Sequence, residues 1–154
     1  MTVKADIFDL DGVLFDGVDL HFKSFNKALS HVDEKYVISS ADEHKFNGVP
    51  TRMKLKKLTE ERGLSVEYHQ QVWEHKQQFF LESISSMGED AHKIRLMSSL
   101  KESGYKIAVA SNSIAATVEE VLARKGLNEY VDLYLSNDDV THPKPDPEIY
   151  TLCV

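Results

Sequence analysis

Two aspartates stand two positions apart near the start of the chain, at the end of a short apolar run. Asp9 directly follows Phe8, and Asp11 is followed by Gly12. One carboxylate of such a pair can attack phosphorus and form an acyl phosphate, while the other moves a proton. An EF-hand calcium loop does not fit, because Val13 stands where that loop needs an oxygen ligand. The pair is therefore a candidate centre for phosphoryl transfer, and an ordinary turn is the structural alternative.

Three polar residues farther along the chain could complete such a centre. Ser111 and Asn112 follow the apolar run 106–110, and Lys144 lies in the proline-rich segment 142–147. A hydroxyl, an amide and an ammonium can all donate hydrogen bonds to phosphoryl oxygens. Each has a simpler alternative, because Ser and Asn often cap helices and a lone lysine is usually solvated. A helix N-terminus is itself an anion site, so capping and phosphate binding are compatible for Ser111 and Asn112.

The elements that must position these residues are typical of an α/β fold. Apolar runs at about 3–8, 106–110 and 131–135 predict buried strands, and the segments 91–103 and 114–125 predict helices that end at glycines. Strand, helix and strand in this order with short links predict a parallel sheet with right-handed crossovers. Ligands bind beyond the carboxyl ends of such strands, so the five polar residues above should converge on one crevice.

The stretch between the first and second strands has a different pattern. Residues 17–90 read as helices, with apolar residues such as Phe25 and Leu29 at three- and four-residue spacing. We therefore predict an α/β core formed by residues 1–16 and 91–154, interrupted after its first strand by a helical insert.

Three segments in this order resemble the first three motifs of the haloacid dehalogenase-like hydrolases. They are residues 8–13 (FDLDGV), 110–112 (ASN) and 144–150 (KPDPEIY). The similarity is greatest to the branch with a helical cap after the first strand, which contains sugar-phosphate phosphatases and β-phosphoglucomutase-like enzymes. The resemblance implies that the core is Rossmann-like and that the insert is a cap.

By this resemblance Asp9 is the nucleophile, and Asp11 is the general acid and later the base. Ser111 and Asn112 contact phosphoryl oxygens, and Lys144 neutralises charge and positions Asp9. The implied cofactor is Mg²⁺, bound by a carboxylate oxygen of Asp9 and the backbone carbonyl of Asp11. A dehalogenase has no leaving alkoxide to protonate and lacks the second aspartate, so Asp11 favours a phosphatase or a phosphomutase. The implied substrate is a small phosphorylated metabolite such as a sugar phosphate.

Two residues of the predicted cap are further candidates for substrate contact. His21 lies where cap-bearing relatives often have a histidine near the hinge, and Arg52 lies in a region that such relatives use to contact substrate. The alternatives are a helix-surface histidine and a solvated basic face that Arg52 shares with Lys54, Lys56 and Lys57.

The chain departs from the family's pattern after the lysine motif. The family takes a further Mg²⁺ ligand from an acidic fourth motif, and this sequence stops at Val154 before such a motif. We expect either a fragment or a naturally shortened member, with weak Mg²⁺ binding. The first strand should then lie at an exposed edge of the sheet, where only Lys4 and Asp6 carry charge. Such an edge should lead to a homodimer, another association or aggregation.

Two other functions stay open on the sequence alone. A shortened relative could bind phosphate or a partner protein with weak or no turnover. A signalling receiver domain also combines aspartates, a hydroxyl and a lysine on a parallel sheet, but its acceptor aspartate follows the third strand and it has no large insert after the first. Hydrolysis of an aryl phosphate separates a phosphatase from both.

Composition limits the partners and the compartment. The formal net charge of −7 disfavours binding to nucleic acid or to anionic membranes. No apolar run approaches the roughly 20 residues of a membrane span, and aspartates interrupt the N-terminal apolar stretch, unlike a secretory signal. The single Cys153 fits a reducing compartment, and the seven histidines lack the spacing of a zinc site. The sequence therefore predicts a soluble cytoplasmic protein.

Overall fold

The computed structural model describes residues 4–154. They form two compact units, here named the core unit and the insert unit. The core unit comprises the chain up to Asp16 together with Ser86–Val154, and the insert unit comprises Gly17–Ser85.

The insert unit ends earlier in the structure than the sequence predicts. Its last residue is Ser85 rather than residue 90. The N–H of Asp90 donates to the carbonyl of Lys125 at 3.2 Å. The Asp90 carboxylate also accepts the N–H of His92 at 3.1 Å and so caps the helix that follows. Both bonds attach this segment to the core unit.

The sheet of the core unit has three parallel strands in the order β1 (Lys4–Phe8), β2 (Tyr105–Ala110) and β3 (Leu133–Leu135). β2 is the central strand, and its last four residues are buried. Burial on both faces explains why these four residues are all apolar rather than alternating. The predicted α/β fold with a parallel sheet is confirmed. Val3, which the prediction included in the first strand, lies outside the described residues.

The described residues form six α-helices and four short 3₁₀ turns. The helices are α1 (Val18–Ser30), α2 (Thr51–Arg62) and α3 (His69–Ile84) in the insert unit, and α4 (Ala91–Glu102), α5 (Ala115–Arg124) and α6 (Glu148–Leu152) in the core unit. The 3₁₀ turns are Glu34–Tyr36, Glu43–Lys45, Val66–Tyr68 and Asn137–Asp139. None of the helices between residues 4 and 154 has the length and apolarity needed to cross a membrane.

Gly126 ends the turn that follows α5 and lets the chain return toward the sheet. Its φ is 71°, in the left-handed region that favours glycine. A Cβ at this position would lie 3.0 Å from Ile94 Cδ1. The backbone conformation and the close approach therefore both require glycine here.

β3 begins two residues later than the predicted strand 131–135. The reason is Asp132, whose carboxylate accepts the Ile107 N–H at 2.8 Å in place of a backbone carbonyl. The same carboxylate accepts hydrogen bonds from Lys101 Nζ at 2.6 and 2.7 Å. These hydrogen bonds lower the pKa of Asp132 to about 2; the bond from Lys101 has the larger effect and the bond from the Ile107 N–H the next largest. Asp132 thereby ties the end of α4 to the start of β2.

The insert unit is built around an apolar core to which all three of its helices contribute. Phe25 and Leu29 of α1 are fully buried, as their predicted spacing on one helical face requires. Leu58 of α2 and Val72 of α3 are buried in the same cluster. The helices of this unit are therefore held together by ordinary hydrophobic burial.

β1 forms one edge of the described sheet, because β2 is its only strand partner among residues 4–154. Its first two residues are exposed and the next three are partly exposed. One row of its backbone N–H and C=O groups therefore has no strand partner in the described part of the chain.

Candidate active site

Asp9 and Asp11 lie on a tight turn at the carboxyl end of β1. Gly12 has a φ of 81°, a conformation that glycine adopts without strain. The Leu14 N–H donates to the Leu10 carbonyl at 2.9 Å, and both of these leucine side chains are buried. The apolar residues around the two aspartates thus anchor the turn, while the carboxylates stay at the strand end.

Lys144 forms an ion pair with Asp9. Its Nζ donates to Asp9 Oδ1 at 2.8 Å and to the Ala110 carbonyl at 2.9 Å. Asp9 Oδ1 also accepts the Leu10 N–H at 2.8 Å. The second oxygen, Oδ2, accepts no hydrogen bond from the described residues, and the Asp9 side chain is 41% exposed. One oxygen is held in place and the other is accessible for a reaction.

The loop that carries Lys144 is attached to the end of β2 through Asn112. The Asn112 side chain accepts the Lys144 N–H on Oδ1 at 2.9 Å and donates from Nδ2 to the Lys144 carbonyl at 3.1 Å. This pair of bonds resembles the pairing of neighbouring strands. The Lys144–Pro145 peptide of the loop is cis. The contact with the loop was not predicted, and the contact of Asn112 with phosphate stays a prediction.

Ser111 is fully buried directly after β2. Its N–H donates to the Leu135 carbonyl at 3.0 Å, and its Oγ accepts the Ser113 N–H at 3.0 Å. The alternative role of Ser111 as a helix cap is not observed. α5 begins at Ala115, and the Ala115 N–H donates to the carboxylate of Asp138 at 2.8 Å. Ser111 therefore belongs to the strand end rather than to the helix.

Ser113 contacts the second aspartate, and sequence reasoning missed it. Its Oγ donates to Asp11 Oδ2 at 3.1 Å. The one available signal was spacing, because Ser113 stands two positions after Ser111 at the same strand end. Asp11, Ser113 and Ser111 thus form one hydrogen-bonded chain, in addition to the contact between Asp9 and Lys144.

The two remaining predicted residues lie in the insert unit. His21 Nδ1 lies 3.0 Å from Lys76 Nζ, and the His21 ring stacks on Phe80 with centroids 4.0 Å apart. The tautomer of His21 decides which of these two nitrogens donates. Lys76 is only 4% exposed, which sequence reasoning also missed. Arg52 lies 4.7 Å from the centroid of the Trp73 ring. Substrate contact by His21 and Arg52 stays a prediction.

Residues 7–154 match the family model described as haloacid dehalogenase-like hydrolase. The chain belongs to this family. The resemblance carried by the three motifs is thereby confirmed, and the chain is an enzyme of the hydrolase type. Membership in this family also decides against the receiver-domain alternative.

The relatives of the chain within this family include phosphatases. It is 32% identical over 154 residues to the phosphorylated carbohydrates phosphatase of Thermotoga maritima, covering 97% of this chain and 68% of that protein. It is 29% identical over 150 residues to the fructose-1-phosphate phosphatase YqaB of Escherichia coli, covering 96% and 76%. The crystal structure of β-phosphoglucomutase from Clostridium difficile has a TM-score of 0.82 at 23% identity, covering 98% and 69%. This last likeness shows the shared fold.

Phosphatases of the family generally use Mg²⁺, and the donor types at this strand end fit that ion. The Asp9 carboxylate and the Asp11 backbone carbonyl offer hard oxygen ligands of the kind that Mg²⁺ prefers. Within residues 4–154 no group of three or more His, Cys, Asp or Glu side chains could hold a metal ion. In many sites Mg²⁺ keeps several waters and binds one or two carboxylates together with substrate phosphate.

Proposed function

We propose that this chain is a Mg²⁺-dependent phosphatase that hydrolyses a small phosphorylated metabolite, such as a sugar phosphate, through an aspartyl-phosphate on Asp9. The observation that carries the proposal is the state of the Asp9 carboxylate. Lys144 Nζ and the Leu10 N–H hold Oδ1, and Oδ2 accepts no hydrogen bond from the described residues. A nucleophile needs this combination of fixed orientation and an accessible oxygen.

In the first half of the reaction, Asp9 Oδ2 attacks the phosphorus of the substrate. The bond between Oδ2 and phosphorus forms, the ester P–O bond breaks, and the leaving alkoxide takes a proton from Asp11. Asp11 Oδ2 accepts the Ser113 hydroxyl at 3.1 Å. Ser113 thus orients the acid.

In the second half, water attacks the phosphorus of the aspartyl-phosphate. Asp11, now a carboxylate, takes a proton from this water, the bond to Asp9 breaks, and inorganic phosphate leaves. The phosphoryl oxygens carry negative charge throughout, and Lys144 is the cation that offsets it. Ser111 and Asn112, at the end of the neighbouring strand, contribute hydrogen-bond donors to the same oxygens.

Asp9 and the backbone carbonyl of Asp11 are the groups that would hold Mg²⁺. When bound, the ion supplies positive charge to the phosphoryl oxygens. A protein site with a single carboxylate binds Mg²⁺ only slightly more favourably than bulk water hydrates it. We therefore expect weak Mg²⁺ binding in the absence of substrate.

The names of the relatives support a sugar phosphate as substrate, because they are phosphatases of phosphorylated carbohydrates and of fructose 1-phosphate. We assign the role of catalytic core to the core unit and the role of cap to the insert unit. His21, held by Lys76, and Arg52 then contact the part of the substrate that is not phosphate.

The test of this function is a phosphatase assay combined with a Mg²⁺ titration. The purified chain should hydrolyse para-nitrophenyl phosphate and sugar phosphates, and a chelator should abolish turnover. Half-maximal activity should require Mg²⁺ far in excess of the protein, and calorimetry without substrate should show no stoichiometric binding. Tight Mg²⁺ binding would contradict the assigned ligands. Absence of hydrolysis would overturn the proposal in favour of a protein that binds phosphate or a partner without turnover.

We also propose that the chain associates with a second copy through the open edge of β1. Among residues 4–154, one row of backbone groups of strand Lys4–Phe8 has no strand partner, and Lys4 and Asp6 are the charged residues of that strand. Pairing of two such edges would satisfy those groups. Light scattering should show association that increases with concentration, and the amides of this strand should become more protected from hydrogen exchange. A monomer at all concentrations would contradict this association.

A further inference from the structure

The lysine loop, residues 141–147, is closed by a side chain to which the proposed reaction gives no role. Glu148, the first residue of α6, accepts the Thr141 N–H on Oε1 at 2.7 Å and the His142 N–H on Oε2 at 2.9 Å. Oε2 also accepts from His142 Nδ1 at 2.9 Å. This carboxylate therefore joins the far end of the loop to its start.

The lysine loop needs such contacts because its own backbone has few donors. Pro143, Pro145 and Pro147 alternate with other residues in this segment and have no N–H. The backbone of Lys144 is held separately, by its two hydrogen bonds with the Asn112 side chain. Asn112 therefore fixes the middle of the loop, and Glu148 fixes its start.

A carboxylate is the side chain that this position requires. Two backbone N–H groups and the imidazole all point at Glu148, and a carboxylate is the group that can accept on both oxygens. A glutamine would turn an NH₂ donor toward one of these N–H groups. The hydrogen bonds lower the pKa of Glu148, the Thr141 N–H most and the His142 side chain next. The charged form is therefore the one present at neutral pH.

The alternative is that Glu148 only stabilises the start of α6. That role belongs to Asp146, whose Oδ1 accepts the Glu148 N–H at 2.9 Å. The Glu148 carboxylate instead bonds to residues 141 and 142, outside the helix. Its contacts therefore serve the loop that carries Lys144.

We propose that Glu148 is a positioning residue for phosphoryl transfer, which holds the lysine loop so that Lys144 Nζ meets Asp9 Oδ1. This inference rests on the proposed function. It adds a residue whose carboxylate acts through Lys144 and does not touch the substrate.

The test compares Glu148→Gln with the wild-type chain in two measurements. The first is kcat/KM for para-nitrophenyl phosphate, and the second is the affinity for inorganic phosphate, followed by NMR titration. Glu148→Gln should lower kcat/KM on the order of 10-fold or more, because a misplaced charged group loses its alignment with the reacting atoms. It should also weaken phosphate binding.

Asp146→Asn is the matched control, because it removes one charge from the same loop and keeps an acceptor. Its values should stay within about twofold of wild type.

The deciding measurement is a double-mutant cycle with Lys144→Ala. If Glu148 acts through Lys144, Glu148→Gln has no further effect on phosphate affinity once Lys144 is absent. An equal loss in both backgrounds would overturn the inference, as would wild-type values for Glu148→Gln. Should that variant not fold, Glu148→Asp carries the same cycle, because its shorter side chain cannot bridge both N–H groups.

The cycle also separates this inference from the proposed function. A wild-type chain that binds phosphate but hydrolyses no ester would overturn the phosphatase proposal, while the binding cycle would still test Glu148. A wild-type chain that neither binds phosphate nor hydrolyses an ester would overturn both.

Discussion

Asp9→Asn is expected to lower kcat for phosphate-ester hydrolysis by at least about 10³-fold while the chain stays folded. An amide is a poor nucleophile, and Oδ2 of Asp9 is the atom that attacks in the proposed reaction. The substitution is nearly isosteric, and the remaining oxygen can still accept from the Leu10 N–H and from Lys144 Nζ. The loss should therefore appear in turnover and not in the unfolding transition.

Phosphate labelling makes the result for Asp9 specific. Wild-type chain that is acid-quenched during turnover should carry labelled phosphate on Asp9, and the variant should carry none. Asp16→Asn is the matched control, because it makes the same chemical change at an exposed aspartate of the same segment. Asp16→Asn should turn over at the wild-type rate. Wild-type turnover by Asp9→Asn would exclude the aspartyl-phosphate mechanism.

The strands and the residues at their ends could be predicted because their signals are local in sequence. Residues 107–110 are apolar without alternation, as a central parallel strand requires. Asp9 and Ser111 each directly follow a predicted strand, so the rule for the carboxyl ends of parallel strands assigns them to one edge of the sheet. Their proximity therefore follows from topology alone, without knowledge of any side-chain contact.

The contacts between the side chains of the site could not be predicted in this way. Ser113 meets Asp11 across 102 positions of sequence, and no local pattern encodes that hydrogen bond. Lys76 is buried against His21, although a lysine on a helix normally points to solvent. In the sequence, Glu148 is only part of the motif 144–150. Its hydrogen bonds to residues 141 and 142 depend on the three-dimensional path of the lysine loop. Polar networks of this kind are fixed by tertiary geometry and not by residue type.

The first residue of β3 could not be predicted either, because it too depends on a side-chain hydrogen bond. The apolar pattern 131–135 predicts five residues of strand, but Asp132 uses its side chain where the ladder would use a backbone carbonyl. The strand therefore begins only at Leu133. A carboxylate that competes with the backbone for an N–H group is a common reason for such shifts.

Asp11→Asn is expected to lower kcat/KM for an alkyl phosphate by about 10²–10⁴-fold, and that for para-nitrophenyl phosphate by about 10-fold or less. An alkoxide must be protonated as it leaves, whereas an activated phenolate leaves with little help. The amide can supply no proton, but its oxygen can still accept from Ser113 Oγ, so the turn should persist. The change should therefore be selective for the leaving group.

Two kinetic parameters and the Mg²⁺ requirement separate the roles that Asp11 could have. The ratio kcat/KM reports phosphorylation of Asp9, in which Asp11 is the acid. The value of kcat also includes hydrolysis of the aspartyl-phosphate, in which Asp11 is the base, so kcat should fall for both substrates and phosphorylated chain should accumulate. The proposed metal ligand at Asp11 is its backbone carbonyl, which the substitution keeps, so half-maximal activity should need the same Mg²⁺ concentration as in wild type. Equal losses of kcat/KM on both substrates would exclude Asp11 as the acid, and a raised Mg²⁺ requirement would assign its carboxylate to the metal instead.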